Sequence, residues 1–499
     1  MPILDWFNKK EALKTADKTP YKVLVENKEL SFGDQTQGNM LIKGDNLEAL
    51  KALLPYYKGR VKCIYIDPPY NTGSAFEHYD DNLEHSTWLS MMYPRLELLR
   101  ELLSENGVLF INLDEMEHAY CKVICDEIFG RSNYLGDLIW QKRKGGGNDS
   151  RFFAIDHDYI LVYTKNNDKK IHPHKWLVSQ SEEYRKRYKE IAEDGRRFYW
   201  DTIARDGLQN PIPVQIRCPD GFILRINSQQ SQATIEKGLK TGEIRLTKSK
   251  NGWTLHHRVY IPAGQVLRSI LNDVGTNKTA GDETIALFGK NNAFDYPKPE
   301  LLMKRLLELA SKPGDIVLDS FLGSGTTVAV AQKMGRKYIG IEMGEHAITH
   351  CAPRLKQVID GTDQGGISKT TNWQGGGGFT FYNLGKHIFD EEGNINHGIA
   401  FKDLAFHVWF SETKTPMQNY KYSPLLGIYK DTAYYLLYNG VLGDKRVNGG
   451  NVLTSKVLES LPPFDGPKVI YGESCRLSPE RLKKENIIFK QTPYEITAR

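Results

Sequence analysis

Between Asp315 and Glu342 the chain passes through an apolar run, Ile316-Val317-Leu318, a loop, Asp319-Ser320-Phe321-Leu322-Gly323-Ser324-Gly325, and a helix-length segment from Thr326 to about Met334. It then stops at Gly335 and resumes as a second apolar run, Tyr338-Ile339-Gly340-Ile341, ending on Glu342. A strand, a glycine turn, a helix and a second, parallel strand make one crossover unit, and such units are stable only inside a sheet covered by helices. The segment predicts an α/β fold. A second run, Val61-Lys62-Cys63-Ile64-Tyr65-Ile66, has the same strand character and ends on Asp67-Pro68-Pro69-Tyr70. An amphipathic helix is expected to start at Pro94 and end at Asn106-Gly107, with a buried strand at Val108–Leu113. Strands and helices alternate through 40–165, so a doubly wound parallel sheet is the economical reading.

Open α/β sheets hold ligands beyond the C-terminal ends of their strands, where both motifs lie. Gly323 and Gly325 allow a ligand to approach the backbone, and a carboxylate at the end of the next strand, Glu342, suits a ribose hydroxyl pair. The dinucleotide fingerprint fails at its third glycine position, which is Val328, and no lysine follows Gly325 as in a phosphate-cradling loop. The motif favours a nucleoside ligand without pyrophosphate, such as S-adenosylmethionine (SAM), held by Asp319, Phe321, Gly323, Gly325, Thr326 and Glu342. Asp67 and the Pro68 carbonyl can each accept one N–H of an exocyclic amine, Pro69 stiffens the turn, and Tyr70 offers a face for a flipped base. The plain alternative for this tetrapeptide is a turn.

In this order, the two motifs resemble those of the β-group of DNA amino-methyltransferases. The resemblance implies SAM as cofactor, adenine N6 or cytosine N4 as acceptor, and a target-recognition region between the motifs. Asp in the first motif position implies adenine. It implies that Asp45, in Gly44-Asp45-Asn46-Leu47-Glu48, contacts the SAM adenine; the same residue also reads as a helix cap paired with Glu48. It further implies that Tyr296-Pro297-Lys298-Pro299-Glu300, with Lys298, closes over the methionine end of SAM. Ile139-Trp140-Gln141-Lys142, Lys144-Gly145-Gly146-Gly147-Asn148-Asp149, His157–Tyr163, Asn372-Trp373-Gln374 with Gly375–Gly378, and Val469–Glu473 are similar to the modification subunits of type III restriction–modification systems. That likeness implies double-stranded DNA as substrate, a homodimer, a helicase–nuclease restriction subunit as partner, and a bacterial or archaeal cytoplasmic, nucleoid-associated location. The alternatives are a stand-alone methyltransferase, type II-like or cytosine-N4, and a mainly DNA-recognition subunit. No metal is expected, because a sulfonium needs no further activation.

Five segments are expected: a polar lead-in at 1–30, a catalytic half at 31–165, a target-recognition insertion at 166–290, a SAM-binding half at 291–378, and a small α+β assembly domain at 379–499. Net charge is only +5, but Gln141 to Arg258 carries 23 Lys and Arg against 14 Asp and Glu, so the positive excess is local, as a phosphate footprint requires. Trp140, Lys142, Arg196, Arg197, Lys248 and Lys250 are the candidate DNA contacts. Asp114 and Glu115, at a strand tip, read either as site residues or as caps. The six cysteines include no Cys-x-x-Cys pair, and Cys121 and Cys125 read as reduced core thiols. No apolar stretch reaches the roughly 18 residues of a membrane span, so no membrane association is expected.

Overall fold

The computed structural model describes residues 3–71, 84–145, 152–171, 176–178, 180, 182–204, 207–441, 446, 450–493 and 495–496. Two compact units emerge, one formed by 1–174 with 268–499 and the other by 175–267.

The first unit is built on a ten-stranded sheet. Its ten sheet strands and main covering helices, in chain order, are α1 (Lys9–Lys18), β1 (Lys22–Gly33), β2 (Met40–Lys43), α2 (Asn46–Tyr57), β3 (Val61–Ile66), α3 (His85–Leu102), β4 (Leu103–Leu113), β5 (Tyr134–Gln141), β6 (His157–Thr164), β7 (Ile270–Leu271), α4 (Glu300–Ala310), β8 (Ile316–Asp319), α5 (Thr326–Lys333), β9 (Lys337–Glu342), α6 (Ala352–Ile359), β10 (Gly378–His387) and α7 (Phe401–Thr413). The spatial order is β1-β10-β2-β9-β8-β3-β4-β6-β5-β7. From β10 to β4 all neighbours run parallel, whereas β6 opposes both β4 and β5 and β1 opposes β10. The mainly apolar character of β3, β8, β9 and the 108–113 part of β4 is what strands covered on both faces need. Ile64, Ile66, Leu109, Ile111, Leu318 and Ile341 are fully buried.

The winding direction reverses between β3 and β8. From β3 the chain proceeds through α3 to β4 on one side, and from β8 through α5 to β9 on the other, while β3 and β8 pair directly, Cys63 with Val317 and Ile64 with Leu318. A crevice at the C-terminal ends of such a strand pair is the ligand position of doubly wound sheets.

Several expected boundaries move. The polar lead-in is structured: α1 places Ala12 and Ala16 in the core, and β1 forms an edge of the sheet. Its polar pattern is that of a strand with one wet side. The sheet also continues past 378, because β10 enters between β1 and β2 with Phe379 and Phe381 fully buried. The glycine that opens β10 permits that entry, since a Cβ at Gly378 would lie 2.2 Å from the Asp34 backbone nitrogen. Helix α7 adds Leu404, Ala405 and Val408 to the same core, so 379–499 is not an independent domain, although it carries its own four-stranded sheet. Helix α3 starts nine residues before Pro94, with Glu84 capping the Ser86 amide, and the buried Pro94 sits inside it. Residues 268–290 return to the first unit through β7, which pairs with β5, so the second unit is shorter than the expected insertion.

The second unit pairs strands Glu190–Ile191, Arg197–Thr202, Ile244–Ser249 and Gly252–Tyr260 into an antiparallel sheet, with a hairpin at Ile212–Arg217 and Ile223–Ser228 and a helix at Gln232–Thr241. Its core is its own and includes Val214, Ile216, Ile235, Ile244 and Leu255.

Candidate functional site: a cleft at the strand reversal

A cleft of about 880 Å³ opens at the β3/β8 reversal, walled by residues 67–70, 294–298 and 321–324, among others. The chain leaves β3 into Asp67-Pro68-Pro69-Tyr70, and the buried Trp88 of α3 pins this turn by donating its indole N–H to the Pro69 carbonyl at 2.8 Å. The Tyr70 hydroxyl lies 2.9 Å from Asp67 Oδ1 and 3.1 Å from Asp158 Oδ2, and it accepts from Asn112 Nδ2. Lys142 Nζ pairs with the other oxygen of Asp158 at 2.6 Å. Lys298 Nζ crosses the cleft to Asp67 Oδ2. The result is an alternating chain of two ammonium groups, two carboxylates and one phenol.

The opposite wall is the loop after β8. Asp319 Oδ1 accepts from the Phe321 amide at 3.0 Å, and Gly323 and Gly325 take left-handed φ values of 54° and 78°. Gly325 has a second reason to be glycine, because a Cβ there would lie 3.3 Å from the Cys351 Cα. Glu342 Oε2 accepts from the Gly323 amide at 2.8 Å, and Cys351 Sγ donates to the Gly323 carbonyl at 3.1 Å. Arg354, on α6, donates to Thr326 Oγ1 at 2.8 Å and to the Ser324 carbonyl at 3.3 Å.

The electrostatics of this wall follow from burial. Desolvation pushes the Asp319 carboxyl up to about 7, against the hydrogen bonds it accepts. Burial also raises Asp67, with the Lys298 ammonium and the Tyr70 hydroxyl acting in the opposite direction. Asp114, which lines the cleft and also accepts from the Met116 amide at 3.0 Å, is raised to about 6 by burial. It is therefore a wall residue that also closes a turn, not the helix cap, since the helix that follows begins at His118 with Glu117 at its N-cap position; Glu115 is exposed and does not line the cleft.

Of the expected site residues, Asp67, Pro68, Pro69, Tyr70, Lys298, Asp319, Phe321, Gly323 and Thr326 all line the one cleft, and Lys142 joins them. Gly325 and Glu342 stand behind the loop rather than in the lining. Asp45 acts as a cap, accepting from the Leu47 and Glu48 amides at 2.9 and 3.2 Å and pairing with Arg95 at 3.1 Å. Glu48 does not reciprocate, since its carboxylate pairs with Lys22 at 2.7 Å. Two expected DNA contacts need correction. Trp140 is fully buried, its indole N–H donating to the Gly275 carbonyl at 2.9 Å, because its position on β5 faces the interior. Lys142 is drawn into the cleft by Asp158 and is not a surface cation.

In the second unit, Arg196, Arg197, Lys248 and Lys250 are exposed. Arg196 lies 3.8 Å over the Tyr260 ring and Arg245 lies 4.1 Å over Trp200, while Lys248 pairs with Asp220. His256 and His257 point to opposite faces of the sheet, opposite Thr202 and Asp201 in turn. Residues 146–149 of the glycine-rich segment lie outside the described residues.

Sequence reading missed Asn112, Asp158 and Arg354 as site residues. A polar residue inside the apolar run Val108–Leu113 was a usable signal for Asn112; Arg354 carried none, since an arginine on an amphipathic helix reads as surface.

A mostly parallel sheet with a glycine loop and an acidic, proline-stiffened turn facing each other at its reversal defines a doubly wound α/β protein with a ligand-sized cleft at the strand reversal. The model of the DNA methylase family matches residues 61–352, more than half of the chain, and the chain belongs to that family. It is 33% identical over 403 residues to the probable HindVI Mod subunit, a type III restriction–modification enzyme of Haemophilus influenzae, covering 69% of this chain and 54% of that protein. It is 32% identical over 364 residues to the StyLTI Mod subunit of Salmonella typhimurium, covering 65% of this chain and 54% of that one. A type II methyltransferase, M.KpnI of Klebsiella pneumoniae, is 28% identical over 61% of this chain and 79% of its own length. The chain thus spans about half the length of the Mod subunits it matches.

Proposed function

We propose that the protein transfers a methyl group from SAM to N6 of an adenine flipped out of duplex DNA, as the modification and recognition subunit of a type III restriction–modification system. The observation that carries this reading is the meeting of Asp67-Pro68-Pro69-Tyr70 and the glycine loop in one cleft at the strand reversal.

The residues present fit SAM. Phe321, Gly323 and Thr326 line the loop side, and five carboxylates, Asp67, Asp114, Asp158, Asp295 and Asp319, face three cations in the wall, which suits a positively charged sulfonium. We assign Glu342 to support of the loop against which the ribose would rest, through the Gly323 and Gly344 amides, and Asp45 to the adenine end. SAM bound there supplies a methyl carbon made electrophilic by its sulfonium. The chain's residues supply the rest. Asp67 accepts one N–H of the target amine and the Pro68 carbonyl accepts the other, which returns electron density to a nitrogen whose lone pair is otherwise spread into the ring. The Tyr70 ring presents a stacking face, and its hydroxyl, held by Asp67, Asp158 and Asn112, fixes the ring's angle. Catalysis rests on positioning and electrostatics.

The second unit supplies the DNA contacts in this reading, through Arg196, Arg197, Lys248 and Lys250. A homodimer, a helicase–nuclease partner and a cytoplasmic location belong to the same proposal. Adenine is favoured over cytosine by the Asp in the first motif position and by the likeness to Mod subunits.

The test is single-molecule sequencing of unmethylated genomic DNA after incubation with the protein and SAM. N6-methyladenine at one recurring asymmetric word is expected, whereas modified cytosine would shift the reading to the N4 reaction. Asp67→Ala should retain SAM binding while methylation falls by more than about a hundredfold. Near-normal methylation by that variant would remove Asp67 from the mechanism.

A further inference from the structure

Lys298 is rooted on one wall of the cleft and spends its charge on the other. Its root is held firmly. Pro299 caps α4, and the next side chain, Glu300, is buried between Lys333, at 2.9 Å to each oxygen, and Arg354, at 2.9 Å. The Ile367 amide also donates to Glu300 at 3.0 Å. The same Arg354 grips Ser324 and Thr326 of the glycine loop. Residues 299–300 and the glycine loop are therefore one braced piece, and the flexible stem of Lys298 starts at its rim. Its ammonium nevertheless reaches across to Asp67 Oδ2, while the Tyr70 hydroxyl takes Oδ1.

This arrangement covers both oxygens of the carboxylate assigned to the target amine. An ammonium in contact draws electron density from a carboxylate and competes for its lone pairs, so Asp67 in this state is a poor acceptor for a weak amine donor. The two other cations in the wall are placed elsewhere: Lys142 on Asp158, and Arg143 on the Ile155 carbonyl at 3.1 Å. The ligand assigned to the loop side, SAM, itself carries a carboxylate on its methionine moiety.

We infer that Lys298 is a positioning residue that couples the two ligands: its ammonium passes from Asp67 to the carboxylate of SAM, and this transfer frees Asp67 to receive the target amine. The inference rests on the proposed SAM chemistry and adds an order to it, with cofactor before base. A base that entered first would meet an Asp67 already occupied.

The test is calorimetric binding to the full-length protein, without DNA, of SAM, of decarboxylated SAM and of 5′-deoxy-5′-methylthioadenosine, which also lacks the carboxylate. The wild type should prefer SAM over decarboxylated SAM by about tenfold or more, the worth of one charge-assisted hydrogen bond. Lys298→Met should lose that preference and Lys298→Arg should keep part of it. Methylthioadenosine should bind all variants alike, which shows that the adenosine site is intact. The discriminating variant is Asp67→Asn. With no carboxylate to leave, Lys298 should turn to SAM at lower cost, and SAM affinity should rise by about threefold, a small factor because the Lys298–Asp67 pair is partly solvent-screened. That gain should vanish in the Lys298→Met/Asp67→Asn double variant. A preference retained by Lys298→Met, or an Asp67→Asn variant binding SAM no tighter than wild type, would overturn the inference. Failure of the wild type to bind SAM at all would instead strike the functional reading beneath it.

Discussion

Asp319 is a carboxylate that the fold holds at a cost, and that cost depends on pH. It is 2% exposed at the tip of β8, and burial pushes it up to about 7. In the unfolded chain it titrates near 3.9. Between those values the folded state binds the proton and the unfolded state does not, so stability falls as pH rises through this window and levels off above it. At 1.36 kcal/mol per unit the full penalty is about 4 kcal/mol; it is about 1.5 kcal/mol at pH 5 and nearly complete at pH 8. Asp319→Asn removes the titration. The amide oxygen still accepts from the Phe321 N–H, and the weakened bond with Thr327 costs about 1 kcal/mol regardless of pH. Urea unfolding of wild type and Asp319→Asn at pH 5 and pH 8 should therefore show the difference moving in the variant's favour by about 2.5 kcal/mol between the two conditions. A difference of constant size would refute the reasoning, because it would mean that Asp319 ionises as readily in the fold as out of it.

Three further outcomes follow from the geometry. Lys333→Met should destabilise the first unit by about 3–5 kcal/mol in urea unfolding, since it leaves Glu300 and Asp363 buried with less positive charge than they need. Gly325→Ala should cost about 1–2 kcal/mol from its φ of 78° alone, and calorimetry should also show weaker SAM binding, because the added Cβ presses on Cys351. Arg245→Ala, in the second unit, should weaken DNA binding in a salt-dependent retardation assay while leaving SAM affinity unchanged; equal DNA affinity at low salt would remove the Arg245–Trp200 face from the DNA contact.

The two walls of the site were legible in the sequence because each is a local event. An apolar run ending on Asp67-Pro68-Pro69-Tyr70 and one ending on Phe321–Gly325 announce strand tips whatever surrounds them. The joins between the walls were not legible, since Lys298 meets Asp67 across 231 positions and Tyr70 meets Asp158 across 88. No periodicity encodes such pairings. Trp140 misled for a related reason: an aromatic beside lysines reads as a surface contact, and only the facing of β5 shows it to be core. The edge strand β1 and its neighbour β10 were missed because one is polar enough to pass for a tail and the other follows a glycine run that reads as a boundary. Glu342 lies at its strand tip as expected, but its engagement with the Gly323 amide joins the end of β9 to the loop between β8 and α5, a pairing that only the assembled sheet defines.

The position of β2 has a consequence in time. Both of its neighbours in the sheet, β9 and β10, come from the far end of the chain. At 5–20 residues per second on the ribosome, the roughly 300 residues that separate β2 from these partners correspond to about 15–60 s. Through that interval the buried surface of Met40, Leu41 and Ile42 has no sheet to join. The covering of β2 is therefore a late event in the assembly of the sheet, set by the arrival of β9 and β10 rather than by any strand made before them.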